Sequence, residues 1–315
     1  MKKVLLIGGG GTLGEYTGAE LLRLGHAVDV LCLEEKTSDN GRLTYFRQNA
    51  DLSFLTSFLE HRTYDAIVNF LHYKNPADYP AVHRLLTAKT GQLVFLSSYR
   101  VYANEQVPIT EEAPQLIETV KDPAFLATET YAVSKSESER YIVRESGTEN
   151  WTIVRPVISF SARRLDVVTV SDRQILERTA RGEVIPLPAA AKHLTAGLDW
   201  AGNSGKLMAH LLFKKEALGE AFTVSTAQNL TWGEVAAIYE ETVGAKFRWV
   251  DTESFMDAFP YLRKSPWILI YDRLFDRRID NTKIQMVTGL TAGDFSTIKA
   301  GILKELDNIA AQGSL

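Results

Sequence analysis

Apolar positions along the chain fall into short runs separated by stretches of helical spacing, the alternation that a parallel sheet with crossover helices requires. The first run, residues 4–7, reads as a buried strand; it ends in the glycines at 8–11, and residues 15–24 then show helical spacing. Further strands are predicted at 26–33 (HAVDVLCL), 43–46, 65–70 (DAIVNF), 92–98 (QLVFLSS) and 151–157 (WTIVRPV). Helices are predicted from 52 to 61 and from about 130 to 145, the second preceded by a polar loop over 108–123. Beyond Ile158 the pattern loosens around Pro186, Pro188 and a cluster of alanines. A strand at 221–225 and a helix at 231–243 still stand out, the helix with Thr231 at its N-cap and Glu234 three residues on.

This order predicts an α/β protein with a doubly wound, Rossmann-like parallel sheet and a smaller C-terminal substrate subdomain. The dinucleotide-binding domain would span about 1–160, with 190–228 partly returning to it, and 161–315 would form mainly the substrate-binding part. The site would lie in the cleft between them.

Composition narrows the classes. A chain of 315 residues can bury a large core. Thirty-five Lys and Arg against 39 Asp and Glu leave a net charge of −4, which supports no nucleic-acid surface. A single cysteine, Cys32, excludes an internal disulfide framework and suits a reducing compartment. Six histidines show no paired ligand spacing, so no metal site is expected. The apolar run at 4–7 is too short for a signal peptide, and no stretch approaches a membrane span. A cytoplasmic protein is expected.

The chemistry concentrates at two places. In the glycine turn, Gly8 can adopt angles a Cβ would forbid, Gly11 lets the main chain approach a diphosphate, and Gly14 lets the helix pack closely on the strand. The helix start, including Thr12 and Leu13, would then face the phosphates. The second strand ends Cys32-Leu33-Glu34-Glu35-Lys36, without an acid or an arginine in the usual discriminating place. Glu34 and Glu35 would repel a 2′-phosphate, which favours NAD and leaves NADP open. The second place is Tyr131-Ala-Val-Ser-Lys135, a phenol and an ammonium four residues apart on one helix face. Ser97 and Ser98 end the strand before it. A phenol has a reference pKa of about 10, and bringing it to neutral pH takes roughly 4 kcal/mol of differential stabilisation. Lys135 with a positive nicotinamide ring could supply that, while Ser98 positions the substrate oxygen. The pairs Arg163-Arg164 and Arg277-Arg278, with Arg273, are candidates for clamping a diphosphate or for a solvated helix face.

With these residues in place, the chain resembles the extended short-chain dehydrogenase/reductases, and within them the NAD-dependent epimerase/dehydratase group that acts on nucleotide sugars. Gly8, Gly11 and Gly14 fit that family's glycine turn, Asp51-Leu52 its adenine-binding pair, and Phe70-Leu71-His72 the segment lying against the dinucleotide. Ser97-Ser98 with Val101-Tyr102 match its serine stretch, Tyr131 and Lys135 its catalytic pair, and Arg155-Pro156 its Arg-Pro on the nicotinamide side. Lys192 stands where the group often has an arginine on the nucleotide phosphates. The resemblance implies catalytic Ser98, Tyr131 and Lys135, NAD as cofactor, a nucleotide-sugar substrate and possible homodimers. Two departures bear on substrate: Ile158 replaces the family's substrate-touching Asn, and Tyr99 replaces a small residue after the serines. A reductase of a small carbonyl compound, and a non-catalytic dinucleotide-binding relative with an RNA-binding or regulatory role, remain open at this point.

Overall fold

Val4, Leu5, Leu6 and Ile7 are all fully buried, and alternate side chains enter different cores: Val4 and Leu6 one, Leu5 and Ile7 another. A strand covered on both faces needs such an unbroken apolar run, because successive side chains point to opposite sides of the sheet. The computed structural model describes residues 1–311, and this run is its strand β1 (Lys3–Ile7).

The chain continues through α1 (Thr12–Arg23), β2 (Ala27–Cys32), β3 (Leu43–Arg47), α2 (Leu52–Leu59), β4 (Ala66–Asn69), α3 (Tyr79–Thr87) and β5 (Leu93–Leu96). Two short helices, α4 (Leu116–Thr119) and α5 (Pro123–Thr128), precede α6 (Thr130–Arg144) and β6 (Trp151–Pro156). Next come β7 (Ile158–Phe160), α7 (Asp172–Ala180), β8 (Val184–Pro188), β9 (Leu198–Trp200), α8 (Ala201–Leu211) and β10 (Glu220–Val224). The last elements are α9 (Trp232–Val243), β11 (Lys246–Val250), α10 (Thr252–Ala258), α11 (Tyr261–Lys264), α12 (Thr282–Thr288) and α13 (Ile298–Ala311).

Seven strands form one parallel sheet in the order β10-β6-β5-β4-β1-β2-β3, the doubly wound architecture expected from the sequence. Strand order reverses between β1 and β4, and the C-terminal strand ends on either side of that point are where ligands bind in such sheets. Register carries the reversal: Val4 pairs with Val28 on one side and Ala66 on the other. β10 comes back from the C-terminal half to extend the sheet, with Ala221 opposite Ile153. A separate core gathers Trp232, Tyr239, Ile185, Leu187, Phe255 and Leu269 with Tyr99 and Val101 from the segment after β5. Two two-stranded sheets, β11-β8 and β7-β9, belong to this half. No helix among the described residues is long and apolar enough to cross a membrane.

One buried polar residue makes the fold sensitive to acid. His83, on α3, is fully buried; its Nδ1 faces the Tyr79 hydroxyl at 3.2 Å and its Nε2 the Thr148 hydroxyl at 3.1 Å. Burial, with Arg84 nearby, pushes its pKa from 6.5 down to about 4. The unfolded chain therefore takes up this proton first as pH falls. Stability from a neutral His83 is fully present above its ordinary pKa and is lost as pH falls toward about 4. Urea midpoints should drop across this window, and His83→Gln should drop less; parallel curves for the two proteins would refute the assignment.

Candidate active site

The glycine turn is built from constraints that differ residue by residue. Gly8 has φ of +73°, a left-handed conformation, and a Cβ there would stand 2.8 Å from Leu71 Cδ2. A Cβ at Gly14 would collide with the backbone of Gly9, so α1 presses on the turn itself. The expected close packing of Gly14 on the strand is thus shifted: the helix approaches β1 one turn later, where Gly18 lies against Leu6. Gly11 is different. It caps α1 in extended backbone, φ −82° and ψ 174°, and a Cβ there would meet nothing within 4 Å. Nothing in the fold requires glycine at this position. Its missing side chain leaves open floor in front of the helix N-terminus, a fit for a diphosphate.

That floor belongs to a cavity of about 500 Å³. Gly8, Gly11, Thr12, Leu13, Gly14, Phe70, Ser97, Ser98, Tyr99, Tyr131, Pro156 and Ile158 line it, so the turn, the paired serines and the phenol meet in one space. Arg100, Arg164, Ile268 and Arg273, with Leu96, Val157 and Ser159, complete the wall. Arg164 and Arg273 come from the arginine groups noticed in the sequence, whereas Arg100 and Ile268 were missed. The available signal for Arg100 was a charge two residues after Ser98, inside an otherwise hydroxyl and apolar stretch.

Tyr131 stands in the first turn of α6. Glu129 caps that helix, with Oε1 accepting the N–H groups of Tyr131 at 2.9 Å and Ala132 at 3.0 Å. The phenol ring packs edge-on against His72, centroids 5.0 Å apart, and the Arg100 guanidinium carbon lies 5.2 Å from it. Its hydroxyl makes no hydrogen bond among the described residues. His72 is held to α6 through Nε2 and the Ser134 hydroxyl, 2.7 Å apart, and burial with Lys135 and Lys74 nearby lowers its pKa. Ser98 Oγ accepts the Arg100 N–H at 3.2 Å, while the Ser97 hydroxyl is buried without a partner in a residue that lines the cavity.

Lys135 lies beneath the cavity wall. Its ammonium donates to the Leu71 carbonyl at 3.2 Å and to the Leu96 carbonyl, and sits 4.9 Å from the Phe95 ring. Burial pulls its pKa down to about 7, against the attraction of Glu139. The amine thus bonds the ends of β4 and β5, not the phenol.

Arg155, Lys192, Asp51 and Leu52 stand away from the cavity, whereas Tyr99 lines it. Arg155 is buried in a two-pronged pair with Glu139, at 3.0 and 2.7 Å, and also donates to the Tyr102 hydroxyl and the Glu111 carbonyl. This fixes α6 to β6 with four of its five N–H donors, away from the cavity, so Arg155 departs from the role the resemblance gave it. Lys192 is exposed, with its ammonium 5.8 Å from the Trp249 ring in the C-terminal half. Asp51 caps α2 through the Phe54 N–H at 2.9 Å, and Leu52 is exposed beside it. Tyr99 is buried, its hydroxyl accepting from Arg273 at 3.0 Å and its ring 5.2 Å from the Arg277 guanidinium.

At the end of β2, Cys32 is buried and Leu33 exposed. The Glu34 carboxylate, two residues beyond the strand, folds back over Gly10 and would block any Cβ there. Lys36 and Arg163 both donate to the Gly10 carbonyl, at 3.1 and 3.2 Å, and both pair with Glu15. An acid therefore does reach the turn, two residues later than the usual position.

The sequence matches no protein-family model and no curated protein. Solved structures do resemble it in fold. An epimerase, Mth375, from Methanothermobacter thermautotrophicus gives a TM-score of 0.73 over 99% of this chain and 93% of that one, at 14% identity. The Bordetella bronchiseptica enzyme WbmG, solved in complex with NAD, gives 0.70 over 99% and 95%, at 16% identity. UDP-glucose 4-epimerase of Thermotoga maritima, solved with UDP-glucose, gives 0.66 over 98% and 99%, at 15% identity. At such identities the likeness establishes the fold of the whole chain.

Proposed function

We propose that the protein is an NAD-dependent enzyme of epimerase/dehydratase type that acts on a carbinol of a nucleotide sugar. The observation that carries this reading is the shared cavity: a ligand on the open floor at Gly11 would lie in the same space as Tyr131, Ser97 and Ser98. The fold neighbours solved with NAD and with UDP-glucose support the choice of cofactor and substrate class.

Gly8, Gly11, Thr12, Leu13 and Gly14 would hold the diphosphate, and Cys32 and Leu33 at the end of β2, with Asp51 and Leu52 at the start of α2, would take the adenosine. Glu34 would accept ribose hydroxyls and repel a 2′-phosphate, and the two nearby cations are already paired with Glu15. These favour NAD over NADP. The chemistry that bound NAD would supply is reversible hydride transfer at the carbinol carbon. Tyr131, as phenolate, takes the carbinol proton onto its oxygen and gives it back. Ser98 donates to the same substrate oxygen. Lys135 turns its amine from the strand-end carbonyls toward the ribose and the phenol.

A thermal-shift comparison of NAD, NADP and nucleotide sugars tests the reading, since a ligand that prefers the folded state raises the melting point. NAD should shift it most among the dinucleotides; no response to either dinucleotide would defeat the proposal. Gly11→Ala separates ligand from fold. Alanine adopts the native angles freely but is a poorer N-cap than glycine, and the two effects oppose each other, so stability should change by less than about 1 kcal/mol. NAD affinity should fall about tenfold or more, roughly 1.4 kcal/mol. Equal NAD binding by the variant and the parent would remove the diphosphate from this floor.

A further inference from the structure

Arg100 is a cation in the reaction cavity whose bonding capacity the protein leaves largely unused. A guanidinium offers donors at Nε, Nη1 and Nη2. In Arg100 only Nη2 is engaged, in a long 3.3 Å bond to Glu129. Nε is buried without a hydrogen-bond partner, and the nearest carboxylate oxygen, on Asp272, is 3.7 Å away. Both neighbouring carboxylates are already committed. Glu129 caps α6 with its other oxygen, and Asp272 pairs with the buried Arg273 and with Arg277 at 3.2 Å. Three guanidinium groups therefore share two carboxylates on this wall, and the excess positive charge lies beside the Tyr131 ring.

Nη1 has no partner and Nη2 only the long bond to Glu129, so the end of the guanidinium suits a planar, two-oxygen anion, which Nη1 and Nη2 can grip in parallel hydrogen bonds. Its place beside Tyr131 and Ser98 puts that anion on the reacting part of the substrate and not at the nucleotide end. Ile158, where the resemblance expects a substrate-touching Asn, lines the same cavity and offers no competing polar contact.

From this geometry, and building on the proposed function above, we infer that the sugar carries a carboxylate near the reacting carbinol and that Arg100 selects it.

The test measures binding to the NAD-loaded protein, so that turnover is not needed. UDP-glucuronate and UDP-glucose share nucleotide and diphosphate and differ in a carboxylate against a hydroxymethyl group. The parent protein should bind the uronate at least about tenfold more tightly. Arg100→Met should erase that preference, and Arg100→Lys, which keeps the charge without the fork, should retain part of it. Melting curves and NAD binding of each variant establish that it is folded. Parent protein that binds both sugars alike, or neither, overturns the inference. A loss in Arg100→Met that is equal for the two sugars also overturns it, and assigns Arg100 to the diphosphate. NAD binding by the parent keeps these outcomes distinct from failure of the underlying reading, which would show as no NAD binding at all.

Discussion

Tyr131→Phe is expected to lower turnover by between about 10² and 10⁴, the range a positioned acid–base group contributes, while leaving NAD affinity and melting temperature near those of the parent. The asymmetry follows from the surroundings of the phenol. Its ring packs against His72 and Arg100, contacts that phenylalanine preserves. Its hydroxyl has no hydrogen-bond partner among the described residues, so removing it leaves no buried group unsatisfied. A structural tyrosine would behave differently. Tyr102, for instance, joins its buried hydroxyl to Thr223 at 2.7 Å and Arg155 at 2.9 Å, and Tyr102→Phe should reduce stability. Product formation and NAD titration on the Tyr131 variant decide the matter. Activity above a tenth of the parent's would place the proton transfer elsewhere.

The sheet was legible because its rule is local. A strand covered on both faces must be apolar throughout, and each run in the sequence became a strand of the parallel sheet, including the outlying Ala221 to Val224. The Thr231–Glu234 capping box was legible for the same reason: both bonds lie within three residues, at 3.2 and 2.7 Å. Pro186 and Pro188, by contrast, look like breakers, yet they lie inside β8. That strand belongs to a two-stranded sheet, where a missing N–H on the open side removes no ladder bond. Alternation gives no warning of such a short edge.

The site was legible only where the motif is the geometry. The glycine turn is contiguous, so Gly8, Gly11 and Gly14 could be assigned distinct duties from spacing, although Gly14 meets the turn where the strand was expected. Arg155 illustrates the opposite case. Its bidentate partner Glu139 lies on α6, sixteen residues earlier and across a helix–strand contact that no sequence window contains. Lys192 likewise matches by distance along the chain, but the fold carries it to Trp249. Arg100 became visible only when the neighbouring carboxylates proved to be committed elsewhere.

The largest stability effect is expected at Asp272, a residue with no sequence signature. It is fully buried, with Arg273 against Oδ2, Arg277 Nε 3.2 Å from Oδ1, and Arg100 approaching at 3.7 Å. Burial works to raise its pKa, but Arg273, Arg277 and Arg100 prevail and hold the carboxyl below its ordinary range. Arg273 and Arg277 are themselves buried, bonding the Val168 and Tyr102 carbonyls at 2.8 and 2.9 Å. Asp272→Ala strands both cations without a counter-charge, and breaking a buried pair from one side costs roughly 3–5 kcal/mol. Asp272→Asn keeps the shape and some hydrogen bonding, so its loss should be smaller. The sign with pH follows from the lowered carboxyl: its contribution is present above the ordinary Asp pKa and is lost as pH falls through the folded-state value. Urea unfolding at neutral pH measures the first effect, and the difference between parent and Asp272→Asn across acid pH measures the second. A loss below about 1 kcal/mol in Asp272→Ala would mean the arginines relax toward water, and the wall that positions Arg100 and Tyr99 would then be held by the surrounding apolar core instead.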